Sequence, residues 1–310
     1  MYELYEDAAS LTVFLYGLMV ALGVAGYWIM LSWNVRRSSL PKGADVLTVF
    51  LSIPLGLCLA RLLFCLADNT YRIIARPADY LMLTDGGYAM FGALGGAVLA
   101  AILAAKLLRA KPAQLLDAAA PAILIFVCLA RLGEGFVSGL GISRSLIYHV
   151  FQGTFLAQVD EYDAYLRTWI LEAICAAVLC LVVLYILAHE ERDGYTFLKG
   201  CMLFGATQVF FESLRYDQHL MYSFVGVQHI LAMVTLGVPV IVLALRAVKQ
   251  RRALSLAALI SIPVVVGAIV FIEFRIDRTG DNRFILYAIY AALLAIPTVL
   301  GFQLSKEDRA

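Results

Sequence analysis

Long apolar runs separated by short charged stretches set the pattern of this 310-residue chain. They fall at about 11–33, 45–67, 87–108, 113–132, 168–188, 197–214, 227–247, 254–273 and 283–303. Roughly 20 apolar residues make a helix that spans the hydrocarbon core of a bilayer, and only helices or closed barrels satisfy their backbone there. The pattern predicts an all-α fold, a polytopic transmembrane bundle of about nine spans. No internal repeat or low-complexity linker interrupts it.

Composition agrees, with 62% hydrophobic residues, 15% charged and a mean hydropathy of +0.85, beyond the roughly half-apolar make-up of soluble domains. The net charge of +1 gives no basic face for nucleic acid, which is not expected as a partner. The six cysteines all lie inside apolar runs, with no Cys-x-x-Cys and no histidine at ligand spacing, so they read as packing residues and no metal or other cofactor is expected. The N-terminus is acidic where a signal peptide is basic, and the first apolar run exceeds a cleaved h-region, so the first span is expected to be retained.

Orientation follows from the basic residues. With the N-terminus outside, the inner loops and tail hold fourteen lysines and arginines, Arg36, Arg37 and Lys42 among them, against seven in the outer loops. The positive-inside rule therefore predicts N-terminus out and C-terminus in.

That topology brings the charges near span ends to the outer side: Arg61 in span 2, Arg131 and Glu134 in span 4, Glu172 in span 5, Glu212 and Arg215 in span 6. Charge at membrane depth is costly, and several such residues on one side mark a polar cavity or pathway. The bland alternative for each arginine is snorkelling to the headgroups. Gln208, Glu212 and Arg215 stand at i, i+4 and i+7, one stripe of a helix; the stripe either walls an outward cavity or closes on itself as a Glu212–Arg215 pair. The glycines at 133, 135, 139 and 141 end span 4 and let backbone approach a ligand. A second cluster, Gly86 and Gly87 followed by Gly92, opens span 3 on the same side. It either permits close helix packing or offers N–H groups at a helix N-terminus to an anion such as a lipid phosphate.

In order along the chain, these fragments resemble the prolipoprotein diacylglyceryl transferases, over about 16–235. Tyr16-Gly-Leu-Met is similar to the family's Tyr-Gly-Leu, and Ala60-Arg-Leu-Leu-Phe to its Ala-Arg motif. Gly86-Gly-Tyr-Ala-Met-Phe-Gly resembles Gly-Gly-x-x-x-His-Gly. Asp117, Pro121 and Arg131-Leu-Gly resemble the approach to Gly-Arg-x-Gly-Asn-Phe. Leu171-Glu172 resembles Leu-Tyr-Glu, and Glu212-Ser-Leu-Arg215-Tyr-Asp217, with Gln228, the Glu-x-x-Arg-x-x-Asp…Gln segment. The chain departs from the family where Phe91 replaces the histidine, Glu134 the asparagine and Gln208 an arginine, and Gly135 looks inserted. The resemblance implies a seven-span transferase-like domain over 1–250, with two additional spans over 251–310 that match nothing in the family pattern.

It also implies a divergent transferase of the bacterial cytoplasmic membrane, active face outward, moving the diacylglyceryl group of phosphatidylglycerol or a related glycerophospholipid to the lipobox cysteine of a precursor protein. An arginine fork suits the phosphate, and Arg131 is the first choice, with Arg61 or Arg215 in support. A thiol of pKa ~8.5 needs a nearby acceptor. Phe91 offers none, which leaves Glu134 or Glu212; a Glu134 locked to Arg131 is the inert alternative. Arg131, Glu134 and Glu212 are thus the expected catalytic residues. Tyr16, Arg61, Gly86, Gly87, Gly92, Gln208 and Arg215 are expected at the lipid or phosphate. Tyr16 is otherwise an interfacial anchor. His149, in an outer segment over 133–167 read as an interfacial arm or an aromatic belt, is a further stand-in for the missing histidine. Two rivals stay open: a transferase with another lipid or acceptor, and a lipid-binding or transport protein without chemistry.

Overall fold

The computed structural model describes residues 2–68, 82, 86–137, 139–145, 151, 153–159, 164–216, 221–222, 225–278 and 283–307. Nine α-helices lie among them: α1 (Tyr2–Arg37), α2 (Ala44–Ala67), α3 (Met90–Leu107), α4 (Pro112–Glu134), α5 (Thr168–His189), α6 (Tyr195–Leu214), α7 (Val227–Ala247), α8 (Arg252–Arg278) and α9 (Arg283–Glu307). Short strands β1 (Ile142–Ser145), β2 (Ala157–Val159) and β3 (Ala164–Arg167) precede α5, and β4 (Met221–Tyr222) and β5 (Val225–Gly226) precede α7.

Every predicted span coincides with a helix, and eight of the nine are long and apolar enough to cross a membrane. The exception is α6, whose apolar stretch is broken by Lys199, Gln208 and Glu212. Helix α1 starts at Tyr2, well before its apolar run, because no proline or glycine stops it before residue 17. Its other end carries Arg36 and Arg37, favourable beside the carbonyl end of the helix dipole.

The chain divides into two compact units. The first comprises Met1–Phe197 with Leu214–Val227, the second Leu198–Ser213 with Gln228–Ala310. In the first, α2 packs on α3, α1 on α4, and α4 on α5. Missing side chains set these crossings. A Cβ on Gly96 would fall 2.5 Å from Cα of Gly56, and one on Gly92 would meet the backbone of Ala60. On the α1–α4 side, a Cβ on Gly26 would lie 2.7 Å from Ile125 Cγ2, and one on Gly23 3.1 Å from Phe126 Cδ2. Helices meeting this closely exchange dispersion contacts without hydrophobic help from lipid. None of the six cysteines forms a disulfide; Cys180 is buried and its thiol lies 3.3 Å from the Pro121 carbonyl.

The contacts run antiparallel, so the start of α1, the end of α2, the start of α3, the end of α4 and the start of α5 share one end of this unit. The opposite end carries Arg36, Arg37, Lys106 and Lys111. Between α4 and α5 the chain forms a three-stranded antiparallel sheet in the order β1-β3-β2, in the segment for which an interfacial arm and an aromatic belt are the two expectations. Gly139 (φ +79°) and Gly141 (φ +63°) end helical continuation, and the isoleucine, valine and tyrosine that follow favour extended backbone. Backbone pairing of Ser143 with Arg215 and the bond from Tyr216 N–H to the Ile142 carbonyl (3.0 Å) tie β1 to the residues after α6.

In the second unit α8 packs on α9, and a Cβ on Gly205 of α6 would lie 2.5 Å from the Leu236 nitrogen of α7.

Candidate active site

The shared end of the first unit holds a closed ring of four charged side chains. Arg131 lies in the last turn of α4 and Glu134 is its final residue, where the chain tightens into short turns: Phe136 N–H bonds the Gly133 carbonyl (3.0 Å) and Val137 N–H that of Glu134 (3.0 Å). Glu172 comes from the start of α5, and Arg215 directly follows α6. Arg131 Nη1 donates to Glu134 Oε1 (2.5 Å), and Arg131 Nε pairs with Glu172 Oε2 (2.8 Å). Arg215 closes the ring through Nη2 to Glu134 Oε2 and Nη1 to Glu172 Oε1, both 3.0 Å.

Each carboxylate thus bridges both arginines, and the four charges sum to zero. All are withdrawn from solvent, with side-chain exposures of 2% for Arg131, 6% for Arg215, 0% for Glu172 and 11% for Glu134. Buried charges are tolerated on such terms, because mutual pairing offsets the cost of lost hydration.

Neighbouring glycines shape the surroundings of Glu134. A Cβ on Gly141 would stand 2.8 Å from Glu134 Oε2 and equally close to Trp169 Cβ, and one on Gly135 would strike the Trp169 ring. Trp169 N–H bonds the Gly141 carbonyl at 3.1 Å, holding the loop against α5. Tyr16 packs over Gly133, where a Cβ would be 3.2 Å from its Cδ2.

Of the residues singled out from sequence, Arg131, Glu134 and Arg215 come together, with Tyr16 beside them. Arg61, fully buried, donates to the carbonyl oxygens of Gly86 and Gly87. Both glycines have positive φ, +72° and +71°, and the Phe64 ring leaves no room for a Cβ on Gly87. The described contacts of this turn with Arg61 therefore use carbonyls, not N–H groups. Gly92 lies in the α2–α3 crossing. Gln208 and Glu212 belong to the second unit. Arg215 lies past the last residue of α6, so the stripe predicted through Gln208 and Glu212 does not extend to it as helix. His149, His219, Asp85 and Asp217 lie outside the described residues.

Glu172 was not among the expected site residues. Its signal, an acidic side chain at the start of an apolar span, is plain in the sequence, but its bridging of two arginines depends on tertiary contacts. Asp117 takes a different part: its Oδ2 accepts from Gly194 N–H (2.5 Å) and its Oδ1 from Phe197 N–H (2.7 Å), capping the start of α6 from within α4. Among the described residues no group of three or more His, Cys, Asp or Glu is placed to hold a metal.

The helices and the buried ring define a multi-pass α-helical membrane protein with a polar interior of two guanidinium forks against two carboxylates. The chain belongs to the prolipoprotein diacylglyceryl transferase family, which it matches over residues 6–274. That match takes in most of α8, beyond the extent legible from motifs. It is similar to the phosphatidylglycerol–prolipoprotein diacylglyceryl transferase of Staphylococcus xylosus, 26% identical over 251 residues covering 79% of this chain and 89% of the relative. It resembles the enzyme of the same name from Bacillus velezensis at 24% identity, covering 77% of this chain and 90% of that protein. The Staphylococcus saprophyticus counterpart is 25% identical, with 78% and 88% covered.

Proposed function

We propose that this protein transfers the diacylglyceryl group of phosphatidylglycerol to the lipobox cysteine of a precursor protein, at the outer face of a bacterial cytoplasmic membrane, with its N-terminus outside and its C-terminus inside. The observation that carries this reading is the buried ring, in which Arg131 and Arg215 point their forks at shared carboxylates within a chain of this family. Cleavage of the glycerol–phosphate C–O bond puts charge on the departing phosphate, and paired guanidinium groups stabilise it where water is excluded. The thiol needs an acceptor for its proton, and Glu134 or Glu212 supplies a carboxylate. Tyr16 beside Glu134 offers a hydroxyl to the headgroup.

The test is direct: purified protein with phosphatidylglycerol and a lipobox peptide should release glycerol phosphate and add one diacylglyceryl mass to the peptide. Absence of both, beside an active relative as control, would refute the activity. Phe91, with no proton-accepting atom where the family resemblance expects a histidine, favours one second reading, the same bond chemistry with another lipid or acceptor. A deletion strain would then keep its lipoproteins modified and lack a different lipid product.

A further inference from the structure

We propose that the lipid phosphate enters by displacing Glu134 from the two arginines, and that the carboxylate so released is the base that takes the thiol proton. This rests on the transferase reading above. The position that bridges Arg131 and Arg215 is the one a phosphate needs in order to use both forks, and in the structure carboxylates hold it. One of them must leave. Glu172 has 0% of its side chain exposed and sits inside α5, within the helix rather than at its end. Glu134 keeps 11% of its side chain exposed and is the last residue of α4, beside a loop with left-handed backbone at Gly139 and Gly141.

The exchange creates the base at the moment it is needed. In the structure both oxygens of Glu134 are engaged by guanidinium N–H groups, Oε1 by Arg131 and Oε2 by Arg215. Once the phosphate takes those bonds, the Glu134 oxygens are open to accept from the thiol S–H. The thiol S–H then gives its proton to Glu134. A sulfur electron pair forms the S–C bond to the terminal carbon of the diacylglyceryl group, and the C–O bond to phosphate breaks with its electrons passing to the phosphate oxygen. The headgroup phosphate leaves with one more negative charge, held between Arg131 and Arg215, while Glu134 carries the proton. Lipid must therefore bind before thiol, and a bound peptide alone meets no base.

Glu134→Gln keeps the size of the side chain and removes its charge, so it tests both halves. Binding of short-chain phosphatidylglycerol to the purified variant should be about tenfold tighter than to the wild type, because no carboxylate competes for the arginines. Transfer to the lipobox peptide should fall about 100-fold at pH 7 and recover as pH rises toward the thiol's own pKa of ~8.5. Equal or weaker lipid binding overturns the displacement, and a wild-type rate of transfer overturns the base role. A wild type that binds the lipid but transfers nothing overturns the transferase reading, while the binding comparison still decides the displacement. Isotope trapping on the wild type needs no variant: enzyme preloaded with labelled lipid should carry it to product when peptide is added, whereas trapping of preloaded labelled peptide overturns the order.

Discussion

Arg215 Nη2 donates to Glu134 Oε2 across 3.0 Å, joining the residue after α6 to the last residue of α4 although 81 positions separate them. The same guanidinium reaches Glu172 at 3.0 Å, so the ring ties the ends of α4 and α5 to the segment leaving α6. On the proposed reading, function and stability rest on the same four side chains.

Removing one member of the ring should therefore cost stability apart from any effect on chemistry. Glu172→Gln leaves two buried arginines with a single carboxylate and is expected to destabilise the fold by about 3 kcal/mol. Adding Arg215→Gln restores neutrality, so the double variant should lose less than the sum of the singles, with a coupling of about 1–3 kcal/mol. Unfolding in detergent gives all four corners of the cycle, and strict additivity would show that the pair does not interact.

Gly141 and Gly139 make a matched test of the space around Glu134. Both have positive φ, and alanine at either costs roughly 1 kcal/mol of backbone strain. Nothing lies within 4 Å of a Cβ on Gly139, whereas one on Gly141 meets Glu134 Oε2 at 2.8 Å. Gly141→Ala should depress transfer about tenfold or more, on the scale expected when a catalytic group is misplaced, and Gly139→Ala should not. Equal rates would show that the position of Glu134 does not matter to turnover.

The nine helices were legible because twenty-residue apolar runs leave the chain few alternatives in a membrane. Their limits were less so: α1 begins nine residues before its apolar run, since helix continues wherever nothing stops it. The charged ring was half legible. Arg131, Glu134, Glu172 and Arg215 stood out as charges beside apolar spans, but helical spacing speaks only of neighbours in sequence, so it left open whether Arg215 pairs with Glu212 or faces the end of α4. Glu172, 43 positions away from Arg215, carries no such spacing. Arg61 is expected at the phosphate by residue type, whereas its bonds to the Gly86 and Gly87 carbonyls were not legible, because they depend on a turn that two consecutive left-handed glycines create.

Asp117 should prove structural. Its carboxylate satisfies two backbone N–H groups, those of Gly194 and Phe197, where α6 begins. Such donors have no partner within their own helix. Asp117→Ala is expected to lose about 1–2 kcal/mol by the usual scale of a lost cap, and Asp117→Asn, which keeps one acceptor oxygen, about half of that. Both should lower the melting temperature and leave the lipid affinity of the protein that remains folded unchanged; a change in affinity would place Asp117 in the binding machinery instead.

The second unit offers its own test in the cluster of His229, Glu273 and Tyr290, from α7, α8 and α9. The Tyr290 hydroxyl lies 3.1 Å from His229 Nε2, 3.2 Å from Glu273 Oε1 and 3.4 Å from the Val209 carbonyl, and His229 Nδ1 lies 3.5 Å from Glu273 Oε1. A phenol has one proton to donate, so the hydroxyl can bond Glu273 only while accepting from His229. Tyr290→Phe strips the centre from this set and leaves polar atoms of His229, Glu273 and Val209 without that partner, a loss of about 2–3 kcal/mol. Tyr287→Phe removes the bond to the Ser213 carbonyl (3.2 Å) and should cost about 1 kcal/mol. Thermal unfolding should rank the two in that order. If Tyr290→Phe is as mild as Tyr287→Phe, the three helices are held by apolar packing such as that of Phe210 against both tyrosine rings, and the polar cluster is not their joint.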